Sequence, residues 1–255
     1  MRTISILNLK GGVGKTFTAA NMGYELWRRN FRVLLFDNDK QGNLSRAYGK
    51  YSGDKTAPAA KVLSGAWKSL PDIIEPTAFK GMDMIASNMS LFGAAWNLAK
   101  QDEIRQTDQY RKLFQTLDYL KLYDFCLIDD PPDLGLNVIS ALSVSDEVIV
   151  PVKIDEDALE GLDIVAEQIE DARAFNSRLR LTGVLITDFQ NTDGEAAGLE
   201  WLRQQGRYEV LGTIRHSKKV AESSFMRKPI YEYSPCCAAA QGYKKFVTEF
   251  TGKGR

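Results

Sequence analysis

The chain contains no run of about 18 apolar residues, so nothing in it reads as a membrane-spanning helix. The opening residues, Met1-Arg2-Thr3-Ile4-Ser5-Ile6-Leu7, lack the apolar stretch and small-residue cleavage site of a signal peptide. Cysteine is scarce. The three present, Cys126, Cys236 and Cys237, are odd in number and have no zinc-ligand spacing, which excludes a disulfide framework and suits a reducing, cytoplasmic address. The single histidine, His216, shows no acid partner in the sequence and is assigned no catalytic role. Neither sign of charge dominates: 33 basic residues balance 33 acidic ones. Affinity for nucleic acid or an anionic membrane must therefore come from a local patch. With no linker-like tract or internal repeat, residues 1–255 read as one domain.

Short apolar runs alternate with longer amphipathic ones. Apart from Ser5, Ile4–Leu7, Val33–Phe36, Phe125–Ile128, Val148–Val150 and Gly183–Ile186 are apolar throughout, as expected of strands covered on both faces. Helices are predicted over Lys15–Arg29, Asn137–Val144, Ala158–Phe175 and Glu195–Gln205. This alternation predicts an α/β fold with a mainly parallel central sheet and helices on both faces. Residues 52–100 are harder to assign, with a short strand expected over Met82–Ala86.

The strongest motif is Lys10-Gly11-Gly12-Val13-Gly14-Lys15-Thr16, between an apolar strand and a helix. That context gives a phosphate loop its physical basis. Glycines let successive backbone N–H groups turn toward phosphate oxygens, and the helix N-terminus adds partial positive charge. Lys15 would reach the β- and γ-phosphates of ATP, and Thr16 would place its hydroxyl on Mg²⁺. Two further strands end in acids, Val33–Phe36 running into Asp37-Asn38-Asp39 and Phe125–Ile128 into Asp129-Asp130-Pro131-Pro132. Strand carboxyl ends face the ligand crevice of an open α/β sheet. An acid there can hold Mg²⁺ through water, or it can cap the next helix.

With its lysine at the start of the loop, the chain resembles the ParA/MinD superfamily, whose Walker A motif is deviant. The resemblance implies a P-loop NTPase fold, ATP and Mg²⁺ as cofactors, and ATP hydrolysis by an ATP-dependent homodimer. It also implies that Lys10 crosses to the partner's phosphates and that Lys10, Gly11, Gly12, Val13, Gly14, Lys15, Thr16 and Phe17 bind nucleotide. By the same resemblance Asp39 positions the attacking water, while Thr16, Asp37 and Asp129 serve the metal. Five positions depart from the family pattern: Phe17 replaces a threonine, Lys40 a proline, Asp130 a frequent threonine, Arg215 a proline and His216 an arginine. The segment Pro151–Leu162 is similar to a stretch that contributes to the family's dimer face. Its acids Asp155, Glu156 and Asp157 equally suit the N-terminal dipole of the following helix.

The Asp39–Asn43 and Asp129–Pro132 segments resemble the ParA branch. With the loop starting at residue 10, no N-terminal helix-turn-helix domain is expected. ParA likeness implies non-specific DNA binding by the ATP-bound dimer, a ParB-like activating partner, and partitioning of a plasmid, integrated element or chromosome. It would also associate the protein with the nucleoid. Arg215, Lys218, Lys219, Arg227, Lys228, Lys244 and Lys245 are candidate phosphate contacts. The alternative is a MinD-like membrane-positioning ATPase, for which Tyr243, Phe246, Val247 and Phe250 would form an amphipathic anchor. Helix spacing fits that anchor, and fits equally a helix docked on the core. An ATP-driven metabolic enzyme forms a third class, but no cysteine near the phosphate loop could ligate the iron–sulfur cluster of a reductase.

Overall fold

The structure, a computed structural model, describes residues 1–100, 108–155 and 158–252. In chain order the first half comprises β1 (Arg2–Ile6), α1 (Lys15–Arg28), β2 (Val33–Asp37), α2 (Asn43–Ala47), α3 (Pro58–Ser64), β3 (Glu75–Pro76), β4 (Met82–Ile85), α4 (Ser90–Leu98) and α5 (Asp108–Leu120). The second half comprises β5 (Phe125–Asp129), α6 (Leu136–Leu142), β6 (Glu147–Val152), α7 (Ala158–Ala172), β7 (Arg180–Phe189), α8 (Asp193–Gln205), β8 (Val210–Arg215), α9 (Lys218–Phe225), α10 (Ile230–Tyr233) and α11 (Ala238–Gly252).

All eight strands join one sheet in the order β3-β4-β2-β5-β1-β6-β7-β8, parallel except for the short antiparallel β3. Period-two alternation divides each central strand between two apolar layers. Val33 and Leu35 of β2 join Ile4, Ile6 and Leu127 beneath α1 and α11. Leu34 and Phe36 join Cys126 and Ile128 on the other face, under α3 and α5. Further along that face, Val148, Val150, Val184 and Ile186 pack under α7 and α8. The sheet is thus covered on both sides, which is why its strands read as unbroken apolar runs.

The last helix docks on the core. Tyr243, Phe246, Val247 and Phe250 are all buried, and the Tyr243 and Thr18 hydroxyls share a 2.9 Å hydrogen bond. The α8 helix starts two residues before the predicted Glu195, where Thr192 and Glu195 form a reciprocal capping box. Glu156 and Asp157, assigned above to the turn before α7, lie outside the described residues.

Candidate functional site

The strand order carries the site. Central β1 has β5 on one side and β6 on the other, and β2 lies beyond β5. Register sets Ile6 against Asp129 and Asp129 against Asp37. The loop leaving β1 therefore opens beside two strand-end acids, in the crevice where open α/β sheets bind ligands.

The loop between β1 and α1 is held from within. Gly14 precedes α1 with a left-handed φ of 87°, a conformation costing a non-glycine residue about 1–2 kcal/mol. No side chain caps α1, so its first-turn N–H groups remain available to a phosphate. Thr187 at the end of β7 donates its hydroxyl to the Val13 carbonyl at 2.8 Å. Lys15 folds back under the loop, its Nζ 3.0 Å from the Lys10 carbonyl. Burial pulls the Lys15 ammonium below its ordinary pKa, against the carboxylates of Asp129, Asp39, Asp130 and Asp133.

Those acids form an electrostatically unbalanced floor. Asp37 is buried, and Ser45 donates to one of its oxygens from backbone (2.7 Å) and hydroxyl (2.6 Å). That bond ties β2 to α2. Burial nonetheless raises the Asp37 pKa. Asp39 is nearly buried and accepts the Gln41 N–H at 2.9 Å. The turn there needs Gly42, because a Cβ would come within 2.7 Å of the Ser87 carbonyl at a φ of +66°. Asp130 accepts from Asn38 at 2.7 Å, and burial pushes its pKa up to about 7. Asp129 is the extreme case. Both of its oxygens are buried without a hydrogen-bond partner among the described residues. Burial and the Asp37 charge raise it well above the carboxylate range. The Thr16 side chain opposes that shift, although it closes no hydrogen bond of ordinary geometry.

An orphaned buried carboxylate beside a threonine hydroxyl fits a divalent cation. No cluster of three or more described His, Cys, Asp or Glu side chains is arranged to hold a metal. The donor set therefore suits Mg²⁺, which takes one or two protein ligands and completes its octahedron with phosphate oxygens and water.

Two cavities flank the loop. One of about 630 Å³ is lined by Gly11, Gly12, Gly14, Lys15, Thr16, Phe17 and Asp39, and on its far wall by Arg46, Arg227 and Lys228. The other, about 400 Å³, takes in Val13, Phe17, Lys153, Asp188, Arg215, His216 and Lys218. The candidate DNA contacts are thus divided. Arg227 and Lys228 face the first cavity, Arg215 and Lys218 the second, and Lys244 and Lys245 line neither, standing exposed on α11. Lys219 pairs with Glu222 at 2.7 Å. Phe17 tilts against Tyr243, ring centroids 5.8 Å apart, so the residue replacing a threonine helps seat α11.

Lys10 does not point into the loop it begins. Its Nζ is 2.7 and 2.8 Å from the two Asp155 oxygens, an exposed pair on the same chain. His216 corrects the sequence reading: it has an acid partner, Asp188, at 2.7 Å. Asp188 also binds Lys153 at 2.7 Å; burial opposes but does not prevent the lowering of its pKa by these two neighbours. Sequence reasoning missed Thr187, Asp188 and Arg46. An acid closing the apolar run of β7 was the available signal for Asp188; Arg46 had none.

Residues 1–181 match the family described as AAA domain. The chromosome partitioning protein ParA of Caulobacter vibrioides is 32% identical over 258 residues, covering 100% of this chain and 96% of that protein. The sporulation initiation inhibitor protein Soj of Bacillus subtilis is 32% identical, covering 99% of each. Among solved structures, the cobyrinic acid a,c-diamide synthase of Mycobacterium smegmatis with bound ADP and magnesium superposes with a TM-score of 0.80 at 28% identity, covering 100% of this chain and 97% of that one. An eight-stranded P-loop sheet and full-length likeness to ParA and Soj lead to one assignment: the chain belongs to the ParA/Soj family of partitioning ATPases.

Proposed function

We propose that this one-domain protein is a nucleotide switch that hydrolyses ATP as a homodimer, grips DNA in the ATP state and lets go afterwards. The observation that carries the reading is the unpartnered Asp129 carboxylate set beside Thr16 and Lys15 at the mouth of an uncapped helix. Within this site Gly11–Phe17 hold the phosphates through backbone N–H groups, and Lys15 neutralises the β- and γ-phosphate charge. Thr16 and Asp129 hold Mg²⁺, with Asp37 supporting its water shell. When bound, the metal supplies positive charge against the leaving phosphate oxygens. Asp39 orients the attacking water.

Lys10 is the one cation that changes partner. In the single chain Asp155 holds it; in the dimer it exchanges that carboxylate for the phosphates bound by the other subunit. An exposed ion pair of this kind is worth only about 0–1 kcal/mol. Loss of the γ-phosphate then removes what holds the subunits together, at a rate set by a ParB-like activating partner.

DNA is the output favoured over membrane. The residues that would anchor a MinD-like terminal helix, Tyr243, Phe246, Val247 and Phe250, are committed to the core. The test is DNA retention with ATP, ADP or no nucleotide across a salt series. The reading expects retention with ATP alone and a steep fall with salt. Equal retention in all three states would contradict it.

A further inference from the structure

The turn joining α9 to α10 presents an apolar tip that the nucleotide site does not explain. Residues Ser224, Phe225, Met226, Arg227 and Lys228 are all exposed, between buried Ser223 and buried Ile230. Phe225 is 86% exposed and Met226 52%. A scattered surface apolar residue is ordinary, but two in succession at the apex of a turn are less so.

The tip is held rigid. The N–H groups of Met226, Arg227 and Lys228 donate to the carbonyls of Glu222, Ser224 and Ser223 at 2.9, 3.1 and 3.1 Å. Ile230 N–H is fixed to Asn21 of α1 at 2.8 Å. Arg227 has a φ of 52°, a left-handed conformation unfavourable for a residue with a side chain. With the Arg227 and Lys228 N–H groups bonded back to Ser224 and Ser223, it closes α9 as a Schellman-type helix end. The tip itself carries two cations, Arg227 and Lys228, with the acids Glu222 and Glu232 on the flanking helices. Among the described residues Lys218, Arg227 and Lys228 have no ion-pair partner, whereas neighbouring Lys219 has Glu222.

We propose that Phe225, backed by Met226, is a DNA wedge: it enters a base step while Arg227, Lys228 and Lys218 hold the flanking phosphates. The proposal rests on the DNA-binding reading above and adds to it the side chain that reaches the bases. Apolar side chains inserted between base steps need no particular sequence, because every step offers a stacked apolar gap. The charges select a polyanion, and a lone Phe-Met pair suits one base step better than a lipid surface, which needs a broad apolar face. Arg227 and Lys228, at the root of the tip, line the same cavity as Lys15, Thr16 and Asp39.

The test measures ATP-dependent binding to a non-specific duplex across a salt series, for the wild type, Phe225→Ala, Phe225→Trp and Arg227→Ala, with circular dichroism melting as the folding control. The wedge predicts that Phe225→Ala loses roughly tenfold in affinity at every salt concentration with an unchanged salt slope, and that Phe225→Trp restores it. Arg227→Ala should instead lower the slope by about one, the share of a single phosphate neutralised by that guanidinium. Wild-type retention with ATP but undiminished binding by Phe225→Ala overturns the wedge alone. No ATP-dependent retention by the wild type overturns the DNA reading and the wedge with it. Loss by Phe225→Ala of binding to phosphatidylserine vesicles rather than DNA would make the tip a membrane-facing element, also against the proposal.

Discussion

Two buried carboxylates occupy opposite ends of the sheet, and their surroundings differ in kind. Glu147 opens β6 at the end away from the phosphate loop. Arg2 engages it through two nitrogens, Arg180 donates at 3.1 Å, and the Thr182 hydroxyl at 2.8 Å. Burial alone would raise its pKa, yet these partners hold it below the ordinary carboxylate value. Asp129 closes β5 with two unpartnered oxygens and a pKa driven upward by burial. A carboxylate satisfied within its own chain fastens strands together. One left unsatisfied in a dry crevice is stable only as the neutral acid or with a cation from outside. The contrast separates scaffold from site without reference to sequence likeness.

That contrast can be broken from either end. The largest effect should come from Lys15→Ala at the functional end, which removes the cation facing the acids and should slow ATP hydrolysis by about 10³-fold. A steady-state phosphate-release assay reads this, and turnover near the wild-type rate would remove Lys15 from the mechanism. Next comes the scaffold. Glu147→Ala should cost about 3 kcal/mol in a urea melt, because it strands the Arg2 charge among the β1, β6 and β7 strand ends. ATP affinity of the folded variant should be unaffected, and a matching loss of nucleotide binding would erase the distinction between the two ends.

Asp130 sharpens the comparison through pH. Its folded pKa of about 7 lies above the unfolded value of about 3.9, so the folded state holds its proton longer. The associated stability is complete below about pH 4 and is lost as pH rises through about 7. Asp130→Asn should therefore be more stable than the wild type at pH 8, by up to about 4 kcal/mol, with the gain vanishing near pH 4. Thermal melts at both pH values decide it; a gain independent of pH would mean that ionisation is not the cause. The smallest effect belongs to Asp155→Asn, which breaks the exposed Lys10 pair and should change stability by under about 0.5 kcal/mol. If a melt shows a loss of several kcal/mol, Lys10 is a structural residue rather than a mobile one.

What could be read in advance follows from range. The strands β1, β2, β5 and β6 and the phosphate loop were legible because apolar runs and glycine-lysine spacing are local signals. The edge strand β8 was not. Its Gly212, partly exposed Val210 and exposed Arg215 dilute the apolar run. The elements α3, β3 and α4 are too short for periodicity to register. Lys10–Asp155 and Asp188–His216 join residues 145 and 28 positions apart, which no local pattern reveals. Arg227 and Lys228 read as surface charge, but the fold brings their turn across α1 to the cavity wall. Asp129 was legible because it closes its strand at the crevice end, while Glu147 opens its own; the partners that reach Glu147 from β1 and β7 lie far away in sequence and were not legible.

The most direct test of the cation at Asp129 is calorimetric titration of ATP into the wild type and Asp129→Asn, each with and without Mg²⁺. The account predicts that Mg²⁺ tightens ATP binding to the wild type by about tenfold or more and does little for the variant, whose metal-free affinity is equal or better. An equal Mg²⁺ gain in both proteins would contradict it.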